Sequence, residues 1–282
     1  MSHRSDVGPR LDTHFDTTVC VTPSHGRSRE DGVFTADLDE SWASLRGIHG
    51  GYLAALAIRA AEATAPDRMP RTIATTFLRP AQVGPAQLSV EALRSGRSFT
   101  TVVVSLTQQQ RAITNTRVTM IGVVPGHDWA SSPMDRPAPV ETCVPFTPPP
   151  MIRHFDNAEL RIDPSTIPVG DGSFARIAGH VRPNERRPVD AAWLAMIGDW
   201  FPPSPFRRFD PPIGGVSIDY TVHLHSVPIA TPTQGGGGVD DGWLEGVFVT
   251  RTSAAGIALE QGTIASSTGA LIAETFHTRW TG

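Results

Sequence analysis

Asp199 stands in an apolar run, Ile197-Gly198-Asp199-Trp200-Phe201. A carboxylate in such surroundings must pair, accept hydrogen bonds or carry a raised pKa. Each of those conditions suits a general base. The plain alternative is a helix-end carboxylate turned to solvent or to a turn amide near Pro202. His49-Gly50-Gly51 precedes a second apolar run. Free amides at a helix start can hold an oxyanion, and glycine lets a ligand approach the backbone closely. The same glycines also serve ordinary turns, and His49 fits packing or capping as well as base chemistry. His277 lies in Glu274-Thr275-Phe276-His277-Thr278-Arg279-Trp280. Strict alternation puts Thr275, His277 and Arg279 on one face, and Glu274, Phe276, Thr278 and Trp280 on the other. If the aromatic residues face the core, His277 is merely exposed; if they face outward, it lines a cleft. Arg79, in Phe77-Leu78-Arg79-Pro80, could meet a phosphate or sit exposed at a strand end. His223 and His225 share a strand face, but no third ligand accompanies them, so no metal is expected.

The elements that position these residues occur twice. Residues 47–123 read as one helical stretch and four strand-like stretches, and a blurred copy spans 189–281. The first helix follows His49-Gly50-Gly51 and ends before Pro66. It is apolar nearly all round, broken only by Arg59 and Glu62, so most of its sides must be covered. Strands are expected at 72–79, 87–93, 99–108 and 113–123, punctuated by Gly84-Pro85 and Gly96. In the copy, Asp190 precedes the helical residues Ala191 to Trp200, and Pro202-Pro203 stops them. Its strands are expected at 215–224, 242–253, 257–266 and 270–280. Lead strands are expected at 33–42 and 174–182. The fold class is therefore α+β, with two tandem repeats, each a central helix wrapped by a curled antiparallel sheet. The expected divisions are a disordered tail at 1–12, an N-terminal repeat at 13–124, a proline-rich connector at 125–172 and a C-terminal repeat at 173–282. Gly235 to Gly238 read as a mobile hairpin tip.

A chain of 282 residues with net charge −4 has no basic field, so neither nucleic acid nor an anionic membrane is an expected partner. Arginine is present and lysine is not, which excludes Schiff-base chemistry and a P-loop lysine. Any phosphate contact falls to arginine. Cys20 and Cys143 are too few for a disulfide scaffold and lack metal-ligand spacing. The polar start, Met1 to Leu11, has no apolar signal core, and cytoplasmic localisation is the expectation.

Taken together, His49-Gly50-Gly51-Tyr52-Leu53-Ala54-Ala55, Phe77-Leu78-Arg79-Pro80 and Gly96-Arg97-Ser98 resemble the acyl-CoA thioesterase II (TesB-like) double-hotdog proteins. The likeness runs from about Phe15 to the C-terminus and is weakest in the connector. It implies a double hotdog acting on acyl-CoA in fatty acid metabolism, without cofactor or metal, and association into a homo-oligomer. It also implies an Asp on the second helix, a Ser or Thr on the next strand and a Gln on the last strand, which hold and activate water. These positions fall on Asp199, Ser217 and His277, the last a departure from Gln. The implied mechanism has Asp199, assisted by His277, accept a proton from water oriented by Ser217. Amides of Gly50 and Gly51 would hold the oxyanion, and His49 and Arg79 would complete the substrate contacts. Two rivals stand beside it: a non-catalytic acyl-CoA-binding protein, and a hydratase or dehydratase using His49 and Asp199 as acid and base.

Overall fold

The alanine-rich run after Gly51 forms a fifteen-residue helix, α1 (Gly50–Thr64), with Tyr52, Leu53, Leu56 and Ile58 buried. Each such side chain contributes about 1.5–3 kcal/mol of burial. The computed structural model describes residues 13–24, 32–122, 129, 135–168, 170, 174–208, 215–225 and 242–282. The expected tail at 1–12 and the glycine tip at 235–238 lie outside the described residues.

The strands alternate buried and exposed positions as a half-buried sheet requires. The first half contributes β1 (Gly32–Leu38), β2 (Met69–Phe77), β3 (Gly84–Ser95), β4 (Phe99–Gln108) and β5 (Arg111–Ile121). Next come β6 (Ala158–Ile162), β7 (Arg176–Pro183), the helix α2 (Ala191–Ile197), β8 (Val216–Leu224), β9 (Leu244–Ala254), β10 (Ile257–Ser266) and β11 (Leu271–Trp280). Among the described residues all these strands belong to one thirteen-stranded sheet, whose outermost strands are the two-residue pieces Thr22–Pro23 and Val144–Pro145. Between those edges the order is β1-β3-β4-β5-β2-β8-β11-β10-β9-β7-β6. Outward from the β2/β8 junction, β2, β5, β4, β3 and β1 match β8, β11, β10, β9 and β7. The tandem repeat is therefore a pseudo-twofold in the sheet, with a helix packed inside each half. The sheet is not closed into a barrel.

Two differences from the sequence reading have physical reasons. Residues 125–172 are more than a connector, because Ala158-Glu159-Leu160-Arg161-Ile162 alternates buried and half-buried and pairs with β7 as β6. The second helix is short. It ends at Ile197, where Gly198 caps it, and Asp199 lies in the following turn. A side chain at Gly198 would place its Cβ 2.1 Å from the Tyr220 hydroxyl, which donates to Ala195 O at 2.8 Å. Only glycine lets the helix end settle on β8 there.

The two helices cap alike. His49 Nδ1 accepts from Tyr52 N at 3.3 Å, and Asp190 Oδ1 accepts from Trp193 N at 2.8 Å. Arg59 of α1 donates to Asp190 Oδ2 at 2.7 Å and to Glu62 at 3.1 Å, tying one helix to the start of the other. No helix among the described residues is long and apolar enough to cross a membrane.

Candidate functional site

β11 carries the polar face that faces inward. Phe276 and Trp280 are 42% and 40% exposed, whereas His277 and Arg279 are 2% and 3% exposed. His277 and Arg279 therefore point into the protein, and the reading that leaves His277 exposed does not hold. Register does the rest. His277 stands opposite Tyr220 on β8 and Glu260 on β10, and Arg279 stands opposite Ser217. An irregularity in the pairing falls between Ser217 and Asp219. Such a bulge re-aims side chains, and Ser217 shares the inward face with Tyr220 despite the odd spacing.

Asp199 is delivered to this face by the turn after α2, and the start of α1 meets it from the other half. Gly51 N donates to Asp199 Oδ2 at 3.0 Å, and His49 Nε2 donates to the Asp199 carbonyl at 2.8 Å. The glycines permit this approach: a Cβ at Gly51 would lie 2.5 Å from Met196 O, and one at Gly50 would lie 2.9 Å from Asp199 Oδ2. On the carboxylate's other oxygen, Arg279 Nη2 lies 3.3 Å and His277 Nε2 3.1 Å from Oδ1. His277 Nε2 is buried and makes no well-aligned hydrogen bond, although the two side chains stay in ion-pair contact. The Tyr220 ring stacks on His277 at 4.1 Å, fixing its plane.

Burial opposes charge on Asp199, but Arg279, together with His277 and His49 once they protonate at low pH, overrides it and holds the carboxyl far below the ordinary carboxylate range. Burial lowers the pKa of His277, and Arg279 lowers it further against the pull of Asp199 and Glu260. Burial likewise lowers His49. The resting site therefore holds an ionised Asp199 between neutral imidazoles. Glu260 is also kept ionised: burial raises its pKa, but Arg279, His277 and the Ser204 contacts together lower it.

The structure brings Asp199, His277, Ser217, His49, Gly50 and Gly51 together. Ser217 joins through Arg279, whose Nη1 donates to its Oγ at 3.2 Å. Arg79 stays apart, exposed and donating to Ala112 O at 2.9 Å. The Gly51 amide is committed to Asp199, so an oxyanion would look to Gly50, the neighbouring donor in the same first turn. His49 caps α1 through one ring nitrogen and holds the Asp199 carbonyl through the other, which leaves neither for acid–base exchange.

Three participants were missed from sequence. Arg279 and Glu260 form a buried pair, Nε to Oε1 at 2.7 Å. His154, inside the expected connector, stacks on His49 at 4.3 Å and meets Trp200 edge-on at 5.1 Å. The signal for Arg279 was the run of polar residues at alternate positions, Thr275, His277, Arg279 and Thr281, continuing one face of β11; Glu260 lies on β10 outside that run. His154 carried no comparable signal.

His225 Nε2 pairs with Glu274 at 2.8 Å, and His223 Nδ1 lies 3.4 Å from Thr72 Oγ1. Among the described residues no group of three or more His, Cys, Asp or Glu is arranged to hold a metal. Both cysteines are free. A cavity of about 220 Å³ lies elsewhere, lined by Phe15, Arg187 and Trp193 among others.

Two family models cover most of the chain. An acyl-CoA thioesterase N-terminal domain matches residues 38–122, and an acyl-CoA thioesterase C-terminal domain matches 124–280. Among solved structures, a conserved protein of unknown function with a hot dog fold from Alicyclobacillus acidocaldarius is similar, with TM-score 0.82 and 22% identity over 96% of this chain and 98% of that one. The tesB protein of Mycobacterium avium subs paratuberculosis aligns with TM-score 0.68 and 22% identity, over 95% and 98%. An acyl-CoA thioesterase II from Mycobacterium marinum aligns with TM-score 0.71 and 17% identity, over 96% and 97%. At these identities the structural likenesses establish the double-hotdog fold. Among curated proteins none matches the chain.

Proposed function

The chain belongs to the acyl-CoA thioesterase family, and from that membership we propose that it hydrolyses a fatty acyl-CoA to the free acid and coenzyme A by direct attack of water. The observation that carries the reading is the buried His277 Nε2, 3.1 Å from an ionised Asp199 and without a well-aligned hydrogen bond. A buried donor without an aligned partner calls for an explanation, and a reacting oxygen between His277 and Asp199 supplies one.

In this reading Asp199 holds the water with a fixed negative charge and takes its proton as the carbonyl is attacked. Its depressed pKa makes it a weak base, so orientation is the larger part of its role. His277 serves as a neutral donor, as a glutamine amide would, rather than as the second base considered from sequence. Its Nδ1 already accepts from Arg279 Nη2 at 3.1 Å. Ser217 Oγ accepts from Arg279, so its own hydrogen is directed onward to the water or the thioester oxygen. The Gly50 amide is the candidate oxyanion donor; one such donor is worth about 2.7–4 kcal/mol. The thiolate of coenzyme A leaves, and no covalent intermediate is required. The engagement of both His49 nitrogens weighs against the hydratase reading.

Thiol release from saturated acyl-CoAs of graded chain length, for wild type and Asp199→Asn side by side, tests the proposal. Wild type should hydrolyse at least one length, and the variant should lose about 10²–10⁴-fold in kcat. A folded wild type that releases no thiol, yet binds acyl-CoA saturably, would replace the enzyme with an acyl-CoA-binding protein.

A further inference from the structure

Arg279 offers five N–H hydrogens, the full complement of a guanidinium, and each meets an acceptor. Nε donates to Glu260 Oε1 at 2.7 Å, and Nη1 donates to Gly215 O at 3.3 Å and Ser217 Oγ at 3.2 Å. Nη2 donates to Asp199 Oδ1 at 3.3 Å and His277 Nδ1 at 3.1 Å. A guanidinium so saturated has no donor left for a ligand. Its acceptors are instead the three candidate catalytic side chains, with Glu260 holding it in place. Glu260 is anchored in turn by Ser204 N at 2.6 Å.

We infer that Arg279 is the positioning residue of this site, one that dictates which atoms of Asp199, Ser217 and His277 carry protons. Arginine only donates. His277 Nδ1 must therefore accept, which puts the ring proton on Nε2, beside Asp199. Ser217 Oγ must also accept from Arg279, which frees its hydroxyl hydrogen to point away. Asp199 Oδ1 is likewise held as an acceptor. Glu260 Oε1 lies 3.6 Å from His277 Nδ1 and would favour a proton there, but the nearer guanidinium prevents it while the ring is neutral. The groups facing Asp199 come from every neighbouring element: His49 and Gly51 at the α1 start, Tyr220 on β8, and His277 and Arg279 on β11. Glu260 on β10 and His154 next to His49 complete the ring of titratable groups. The tautomer is a property of the resting protein, whereas the kinetic consequence rests on the thioesterase reading.

Two variants and two readouts test this on the full chain. Arg279→Met combined with Glu260→Gln removes both members of the Arg279–Glu260 pair, so Glu260 is not left as a buried charge without its guanidinium. Arg279→Lys keeps the charge but offers at most three donors. Histidine ¹⁵N spectra of wild type should show His277 as the neutral Nε2–H tautomer. In the double variant, that tautomer should give way to a mixture. Its kcat should fall about tenfold or more with KM little changed, the mark of an interaction made at the reacting centre. The acid limb of its kcat/KM profile should rise by about one pH unit or more, because His277 loses the neighbouring guanidinium that opposes its protonation. Arg279→Lys should keep the low acid limb while losing the single tautomer. A wild type with the proton on His277 Nδ1 would overturn the inference. So would a folded double variant with the wild-type tautomer and pH profile. If the double variant does not fold, the wild-type spectrum and Arg279→Lys decide. If wild type hydrolyses no acyl-CoA, the thioesterase reading falls while the spectra still judge Arg279.

Discussion

Gly51 donates its backbone hydrogen to Asp199 Oδ2 at 3.0 Å, so the first turn of one helix grips the carboxylate that follows the other. Neither half contains the site alone. The amide comes from one repeat, while the carboxylate, imidazole and guanidinium come from the second.

That grip predicts the effect of a single methyl group. Gly51→Ala would put a Cβ 2.5 Å from Met196 O, a backbone atom that cannot swing aside. The helices must separate, at an expected cost of about 1–3 kcal/mol. Urea denaturation should report that loss, and thiol release should fall further than stability alone explains, because Asp199 moves with the helix end.

Glu260 predicts a larger loss. It and Arg279 are 2% and 3% exposed, and removing one partner of a buried pair leaves the other charge uncompensated. Glu260→Ala should cost about 3–5 kcal/mol. Glu260→Gln, which keeps one acceptor oxygen for either Arg279 or Ser204, should cost less. Equal losses in the two variants would show that shape rather than charge pairing holds Arg279.

The histidines set an acid weakness. His49, His154 and His277 are each lowered from 6.5, chiefly by burial. In the unfolded chain they take up protons near that value, whereas in the fold they do so only at lower pH. Stability must therefore fall as pH drops below about 6.5, by about 1.4 kcal/mol per pH unit for each such residue. Asp199 acts in another window. Its contribution is complete above 3.8 and is lost only as pH falls through its depressed folded value. His154→Phe should remove one histidine's share of the slope between pH 6 and 4, measured by thermal unfolding. An unchanged slope would place the uptake elsewhere.

Asp190 should matter despite its distance from the chemistry. It caps α2 through Trp193 N and receives Arg59 at 2.7 Å and Arg187 at 3.1 Å. Asp190→Ala should lose about 1 kcal/mol from the cap, and more from the two guanidinium groups left facing each other. Asp190→Asn keeps the capping oxygen and isolates the second effect in denaturant titration.

Much of the architecture was readable beforehand because period-two patterning survives in each strand. The expected strand at 99–108 coincides with β4, and that at 257–266 with β10. The limits were local. A seven-residue helix stopped by Gly198 looks longer in sequence, because Asp199, Trp200 and Phe201 continue a helical apolar pattern. On β11, the usual preference for burying aromatics misleads. Phe276 and Trp280 lie on the outer face, while Arg279 is buried because Glu260, Asp199 and Ser217 satisfy it. Those partners lie on three other elements, and only the fold reveals that they converge. Ser217 was placed by resemblance alone, whereas Asp199 stood out from its apolar neighbours first, and the bulge that turns Ser217 inward left no trace in residue type.

The matched caps of the two helices have a consequence for stoichiometry. Counted from its cap, the stretch of α1 that corresponds to the Asp199 turn carries Arg59. That arginine meets Asp190 at the start of α2, where the other repeat offers His49 and Gly51. One pole of the pseudo-twofold thus holds a reactive cluster, and its mirror image holds a strut. Duplication has divided labour between two equivalent places. Each chain should accordingly titrate with a single equivalent of a tight acyl-thioester analogue, however many chains assemble.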